Sequence, residues 1–294
     1  MMIDGFELRP FDEGDEELIE KKLEEYNYSV VPPVEGAEEE EFVLKISDGD
    51  GTVIGGCLLE IDRWKIADLD ILWVDEKHRR QGLGSMLIRE AERISREKGC
   101  SLSALGTFDF QARPLYEKHG YTHCGTIENW PRGHENYTLA KRLDLPCPAY
   151  VPSHNEAQAK YEVSLGGKED REAIINGLRS HNNAHVTELI EEVSLNKKLV
   201  DAEGNLIAAC VAEVDDWGEA CIDLWVEEPY RSMGLGSRLL LETEREAMEK
   251  GAYVMLVWLL DWQAPFFEKH GYTVITAIED CPKGHRFYTM RKDF

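Results

Sequence analysis

The chain has 294 residues, and its 57 acidic side chains against 33 lysines and arginines give a formal net charge of −24. Apolar residues make up 43% of it, enough for packed cores, so a disordered chain is excluded. No apolar run approaches the ~20 residues of a membrane span. A surface this acidic also repels phosphate backbones, so neither a membrane nor a nucleic acid is an expected partner.

In chain order, residues 3–9 read as a strand and residues 15–26 as a helix, with Leu18, Ile19 and Leu23 at helical spacing. Residues 42–47 and 52–61 read as strands around the turn Asp48-Gly49-Asp50-Gly51, and residues 66–74 as another. Residues 84–98 form a helix whose Met86, Leu87, Ala91 and Ile94 share one face, stopped by Gly99. A strand over 101–106, a short helix over 112–119 and two closing strands follow. Strands over 161–165, 197–201, 206–214, 220–226 and 253–260, with a helix over 236–250, then repeat the order. Strands and helices mixed in this way give an α+β fold of α/β layers.

The two series are copies. Leu72-Trp73-Val74 recurs as Leu224-Trp225-Val226, and Gly82-Leu83-Gly84-Ser85 as Gly234-Leu235-Gly236-Ser237. Glu117-Lys118-His119-Gly120-Tyr121-Thr122 recurs as Glu268-Lys269-His270-Gly271-Tyr272-Thr273. A period this long is not a solenoid repeat; it marks two tandem domains. Three prolines, Pro146, Pro148 and Pro152, set the connector at 145–156, with domains over 1–144 and 157–294.

Seven cysteines occur without a Cys-x-x-Cys pair, so neither a disulfide framework nor a structural zinc site is expected, and a reducing cytoplasm is the default location. The histidines form no closely spaced ligand cluster, so no metal is expected. Gly82 and Gly84 lie between a strand and a helix, where backbone N–H groups and the helix dipole suit a phosphate. Gly234 and Gly236 repeat the device. No Gly-Lys-Ser/Thr follows, and the third glycine of a dinucleotide fingerprint is missing.

Arg-x-x-Gly-x-Gly after a strand ending in Leu-Trp-Val, followed by Leu115-Tyr116-Glu117-Lys118-His119-Gly120-Tyr121, resembles the GNAT superfamily of N-acetyltransferases, over nearly all of both halves. The resemblance implies two GNAT-like domains, each a twisted, mixed, mostly antiparallel sheet splayed between its fourth and fifth strands. The arm of acetyl-CoA, as co-substrate, would lie in the splay and its pyrophosphate on the glycine loop. By motif, Val74, Arg79, Gln81, Gly82, Gly84 and Ser85 hold it in the first half. Val226, Arg231, Gly234, Gly236 and Ser237 take those places in the second.

The family's general acid falls on Tyr116, and its second-half counterpart is Phe267, which has no proton to give. Six residues before the end of the fourth strand, the family's base position falls on Asp68 and, by the same count in the second half, on Ala220, with Asp223 elsewhere on that strand as a substitute. Asp70 and Glu60 stand as rival bases. The first half is therefore expected to be catalytic, transferring acetyl directly to a primary amine of a small cationic molecule. A protein Nα- or lysine acetyltransferase is the runner-up, and a non-catalytic acetyl-CoA sensor the alternative from another class. Asn27 is expected at the acceptor site, and Asp109 reads most simply as a helix N-cap. The two domains are expected to pair within the chain, with a homodimer as a further option.

Overall fold

The structure, a computed structural model, describes residues 2–3, 5–146 and 160–294. Most of the expected connector, from Cys147 to Glu156, lies outside them. In chain order the chain forms β1 (Met2–Ile3), β2 (Phe6–Pro10), α1 (Asp15–Val30), β3 (Glu40–Ser47), β4 (Val53–Ile61) and β5 (Ile66–Val74). Next come α2 (Leu83–Glu97), β6 (Leu102–Phe108), α3 (Arg113–Lys118), β7 (Thr122–Glu128) and β8 (Glu135–Arg142). The second series is β9 (Ser164–Leu165), α4 (Lys168–Asn183), β10 (Val193–Ser194), β11 (Lys197–Val200), β12 (Leu206–Val214) and β13 (Glu219–Val226). It closes with α5 (Leu235–Lys250), β14 (Val254–Leu260), α6 (Ala264–Glu268), β15 (Thr273–Glu279) and β16 (Arg286–Asp293).

Most expected elements are present with ends shifted by a residue or two. The strand expected over 3–9 is instead two short strands folded back on each other, Ile3 opposite Phe6 and Met2 opposite Glu7. Of the strand expected over 161–165, Ser164 and Leu165 pair, against Lys45 and Leu44 of β3.

Packing divides the chain differently from the order of the sequence repeat. One compact unit comprises Met1–Pro32, Glu188–Ala277 and His285–Phe294; the other comprises Pro33–Thr187 and Ile278–Gly284. Each half's opening strand and helix thus belong with the other half's main strands. In the unit built on the second series, β2 pairs antiparallel with β11, and Lys198 binds Asp12 at 2.7 Å and Asp15 at 2.5 Å. Its α1 buries Ile19 in a cluster with Ala209 and Trp225.

In the unit built on the first series the strand order is β7-β8-β6-β5-β4-β3-β9. Its helix α4 is tied by Lys45–Asp170 at 2.8 Å and Arg171–Glu41 at 2.6 Å. Ile174, fully buried, lies so close to Gly56 that a Cβ there would stand 2.3 Å from Ile174 Cδ1. Leu83, Leu87, Ile88, Ala91 and Ile94 of α2 join β4 and β5 side chains in this unit's core.

Among the described residues both units carry a mixed, mostly antiparallel sheet with one parallel pair, the sheet type that the resemblance implied. In the first-series unit β5 pairs with β6 through Ile66–Leu102, Ala67–Ser103 and Asp68–Ala104 and no further, so the strands separate beyond Asp68. In the other unit β13 and β14 pair over Glu219, Ala220 and Cys221 in the same way.

Candidate active site

The opening between β5 and β6 leads into a cavity of about 480 Å³. Val74, Arg79, Gly82, Gly84, Ser85 and Tyr116, all expected from sequence, line it. Gly82 is the N-cap of α2 at φ +82°, a conformation that costs glycine little, and it supplies no side-chain cap to the first-turn amides. Arg79 Nε donates to the Val74 carbonyl at 3.0 Å, fixing loop to strand end. Gln81 is not in the lining; its Nε2 donates to Lys77 O at 3.4 Å. A cavity with a glycine-capped helix N-terminus and Arg79 and Arg80 in its wall suits a diphosphate. Among the described residues no group of His, Cys, Asp or Glu is arranged to hold a metal, and no helix is long and apolar enough to cross a membrane.

Tyr116 is 6% exposed, its ring edge-on to Tyr121 at 6.0 Å, and burial pushes its phenol well above the usual value. Asp68 does not line the cavity; it is the last residue of β5 paired to β6, at the point where the strands part. The residue is exposed to solvent, yet protein atoms crowd its carboxyl. Loss of hydration first, then the charges of Asp70, Glu60 and Asp62, push its carboxyl up to about 7.

Strand register identifies Asp68's counterpart. Glu60 faces Asp68 and Leu58 faces Ile71, so Leu59 stands against two residues, Leu69 and Asp70, in a β-bulge. The β12–β13 ladder runs from Ala208–Val226 to Val214–Ala220 without a shift. The bulge adds one residue to β5, so counting back from Val226 overshoots by one. Cys221, opposite Glu213, rather than Ala220, holds Asp68's place. Burial raises that thiol too, and it donates weakly to Glu213 at 3.8 Å.

Asn27 lies within α1, in the unit built on the second series, and is not in this cavity. The matching residue of the other copy, Asn182 on α4, is the one beside it. Its Oδ1 accepts from Nε2 of Gln111, a lining residue, at 3.0 Å. Sequence reasoning also passed over Trp73, Phe110, Leu178 and His181 in the lining. The Trp73 repeat at Trp225 was a usable signal; Leu178 and His181 carried none, because they come from the other series. Asp109 is not an N-cap: Ala112 precedes α3, and Asp109 Oδ1 is 2.9 Å from His134 Nδ1. The pair recurs as Asp261 and His285 at 3.1 Å. Ser85 bonds His119 Nε2 at 3.0 Å and Ser237 bonds His270 Nε2 at 2.9 Å, a second recurring pair. Burial, then Lys141, lowers His119 to about 4, so it holds Ser85 as a neutral ring.

The second glycine loop repeats the backbone with different neighbours. Gly234 caps α5 at φ +85°, and Arg231 Nε donates to Val226 O at 2.9 Å. Arg231's guanidinium, however, lies 4.9 Å from the ring centres of both Trp225 and Tyr26. A Cβ on Gly236 would meet Leu224, Val226 and Phe266 within 3.6 Å, whereas at Gly84 only Leu115 comes close, at 3.0 Å.

A mixed sheet with a parted parallel pair, whose opening faces a glycine-capped helix, is the frame of an acyltransferase. The comparisons give its family. A model of the acetyltransferase (GNAT) family matches residues 6–121, and one of the acetyltransferase (GNAT) domain matches residues 197–274. The blasticidin-S acetyltransferase of Streptomyces morookaense is 37% identical over 112 residues, 38% of this chain and 82% of that one. An acetyltransferase of Agrobacterium fabrum is 29% identical over 108 residues, 36% of this chain and 77% of that one. A crystal structure of a Bacillus cereus acetyltransferase, 35% identical, covers 46% of this chain and 95% of its own, with a TM-score of 0.42. The chain belongs to the GNAT acetyltransferase family.

Proposed function

We propose that the unit built on the first series transfers acetyl from acetyl-CoA to the primary amine of a small cationic molecule, and that the other unit does not transfer. The observation that carries this reading is the pairing of an open cavity with Tyr116 in its wall and Asp68 at the point where β5 and β6 part. Acetyl-CoA supplies the acetyl group as a thioester. Asp68 takes a proton from the amine, directly or through water, as nitrogen bonds to the thioester carbon. Tyr116 gives its phenolic proton to the sulfur as the carbon–sulfur bond breaks. A base pushed up to about 7 suits proton transfer at neutral pH. Burial raises the carboxyls of Asp68, Asp70 and Glu60, with Asp70 adding to the shifts of Asp68 and Glu60 and Glu41 to those of Asp70 and Glu60, and such a cluster of carboxylates draws an ammonium group. The relative named for blasticidin-S supports a small-molecule acceptor over a protein one. Phe267 and Cys221, where the other unit has Tyr116 and Asp68, support a non-transferring role for the second series.

Release of CoA thiol on mixing with acetyl-CoA and a panel of amines tests the reading. Small cationic amines should release thiol, and a protein that binds acetyl-CoA in a calorimeter yet releases none with any amine is a sensor. The base has its own signature. Below pH about 7 Asp68 carries a proton and cannot accept one, so kcat/KM should fall about tenfold per pH unit there and level off above. Asp68→Asn should lower kcat by about 10²-fold and remove that acid limb. A limb that persists in Asp68→Asn but vanishes in Glu60→Gln or Asp70→Asn gives the role to that residue.

A further inference from the structure

The cavity's two sides come from different stretches of chain, and they are latched. One side is the segment leaving β6, where Phe110, Gln111 and Ala112 line the cavity; the other is α4, which contributes Leu178 and His181. Gln111 Oε1 accepts from Phe108 N at 2.9 Å and from Thr107 Oγ1 at 3.1 Å, which fixes the segment to the strand end. Its Nε2 then donates to Asn182 Oδ1 at 3.0 Å. Beside this bond the Phe110 ring is stacked between Phe108, at 5.2 Å and 11°, and His185, at 5.0 Å and 7°. Leu178, His181, Asn182 and His185 follow at helical spacing, so one face of α4 and its C-terminal turn carries both the lining and the latch.

The other unit shows the same residues without the latch. Gln263 Oε1 accepts from Leu260 N at 2.9 Å, as Gln111 does from Phe108. Asn27, which corresponds to Asn182, has its Oδ1 buried with no hydrogen-bond partner. Val30, 40% exposed, stands at the position that matches His185. Both copies have the asparagine and the glutamine, and they meet in the unit that also has Tyr116.

We propose that Asn182, delivered by the second sequence copy, is a positioning residue for the first-series transfer site: by accepting from Gln111 it sets the width of the cavity that receives the CoA arm. The proposal rests on the transfer reading for what the cavity holds. It makes the 1–144 stretch an incomplete transfer site without α4. Of the two asparagines matched between the copies, it gives the latch to Asn182 and no such duty to Asn27.

The test uses the full chain. Asn182→Leu removes the acceptor at similar volume, and the loss of one neutral hydrogen bond should raise the Kd for CoA and the KM for acetyl-CoA by up to about tenfold. The change in kcat should be smaller than that. Asn182→Asp keeps an acceptor oxygen and should restore both constants to within about twofold. Asn27→Leu should leave them unchanged. Calorimetry with CoA reads the latch even if no amine is acetylated, so binding without transfer sinks the transfer reading alone. Wild-type protein that binds no CoA overturns both. An unchanged Kd in Asn182→Leu, or an Asn182→Asp as weak as Asn182→Leu, overturns the latch.

Discussion

Tyr116→Phe should lower kcat by about 10²-fold or more and leave the KM for acetyl-CoA nearly unchanged. The substitution removes one oxygen and keeps the ring, so the edge-on contact with Tyr121 at 6.0 Å and the cavity wall survive. What is lost is the proton. Burial pushes the phenol far above its usual value, so the group is loaded as an acid throughout the working range. The sign follows: Tyr116 adds no alkaline limb to the pH profile below about pH 10, its ordinary value. The profile should therefore be one-sided, rising with Asp68 and then flat. Phe267→Tyr, the reverse change in the other unit, should add no activity, because Cys221 rather than a carboxylate stands at the corresponding strand position. Steady-state thiol release for the two variants checks both statements. Full turnover in Tyr116→Phe, with an effect from Phe267→Tyr, would move the chemistry to the second series.

The duplication, the glycine loops and most element ranges could be read from sequence because each has a local cause. A helix is set by its own apolar spacing, and a left-handed N-cap asks for glycine at that very position. Which sheet a helix covers has no such local mark. Both α1 and α4 bury one isoleucine, Ile19 and Ile174, at matching places, and nothing in either helix says that Ile174 lies on Gly56 while Ile19 lies with Ala209. The small residues on the strands are the complementary half of that information, and they stand over a hundred residues away.

The bulge was hidden for a similar reason. Leu69 and Asp70 alternate as any strand residues would, and only pairing with Leu59 shows that one is extra. That single residue moved the second-half base position from Ala220 to Cys221. The expectations for Asn27 and Asp109 had one fault in common: each took a sequence neighbour for a spatial one. Asn27 belongs to the first series in sequence but packs with the second, and Asp109 turns to His134 rather than to the helix beside it.

Gly177→Ala should weaken the site despite being, on helical propensity alone, a stabilising change of about 1 kcal/mol. Gly177 lies inside α4, and a Cβ there would stand 2.3 Å from Trp73 Cε2, 2.6 Å from Cδ2 and 2.7 Å from Cζ2. These atoms belong to the body of the indole, so they cannot swing aside as a side-chain tip can. Either the ring or the helix must move. Trp73 and the α4 residue Leu178 both line the cavity, and Gln111 ties α4 to the opposite wall, so either movement alters the space for the CoA arm. Overpacking of this kind costs about 1–3 kcal/mol, which exceeds the propensity gain. The other unit shows the alternative solution. Lys22 occupies the matching helical position, pairs with Glu227 at 2.7 Å and lies 5.8 Å from the Trp225 ring centre, so there a side chain is accommodated beside the tryptophan. Urea unfolding should therefore give Gly177→Ala a lower midpoint than wild type, and the KM for acetyl-CoA should rise by about tenfold or more as the Trp73 wall shifts. Lys22→Gly, by contrast, should leave KM unchanged. A Gly177→Ala protein as stable as wild type with an unaltered KM would mean that α4 does not rest on Trp73.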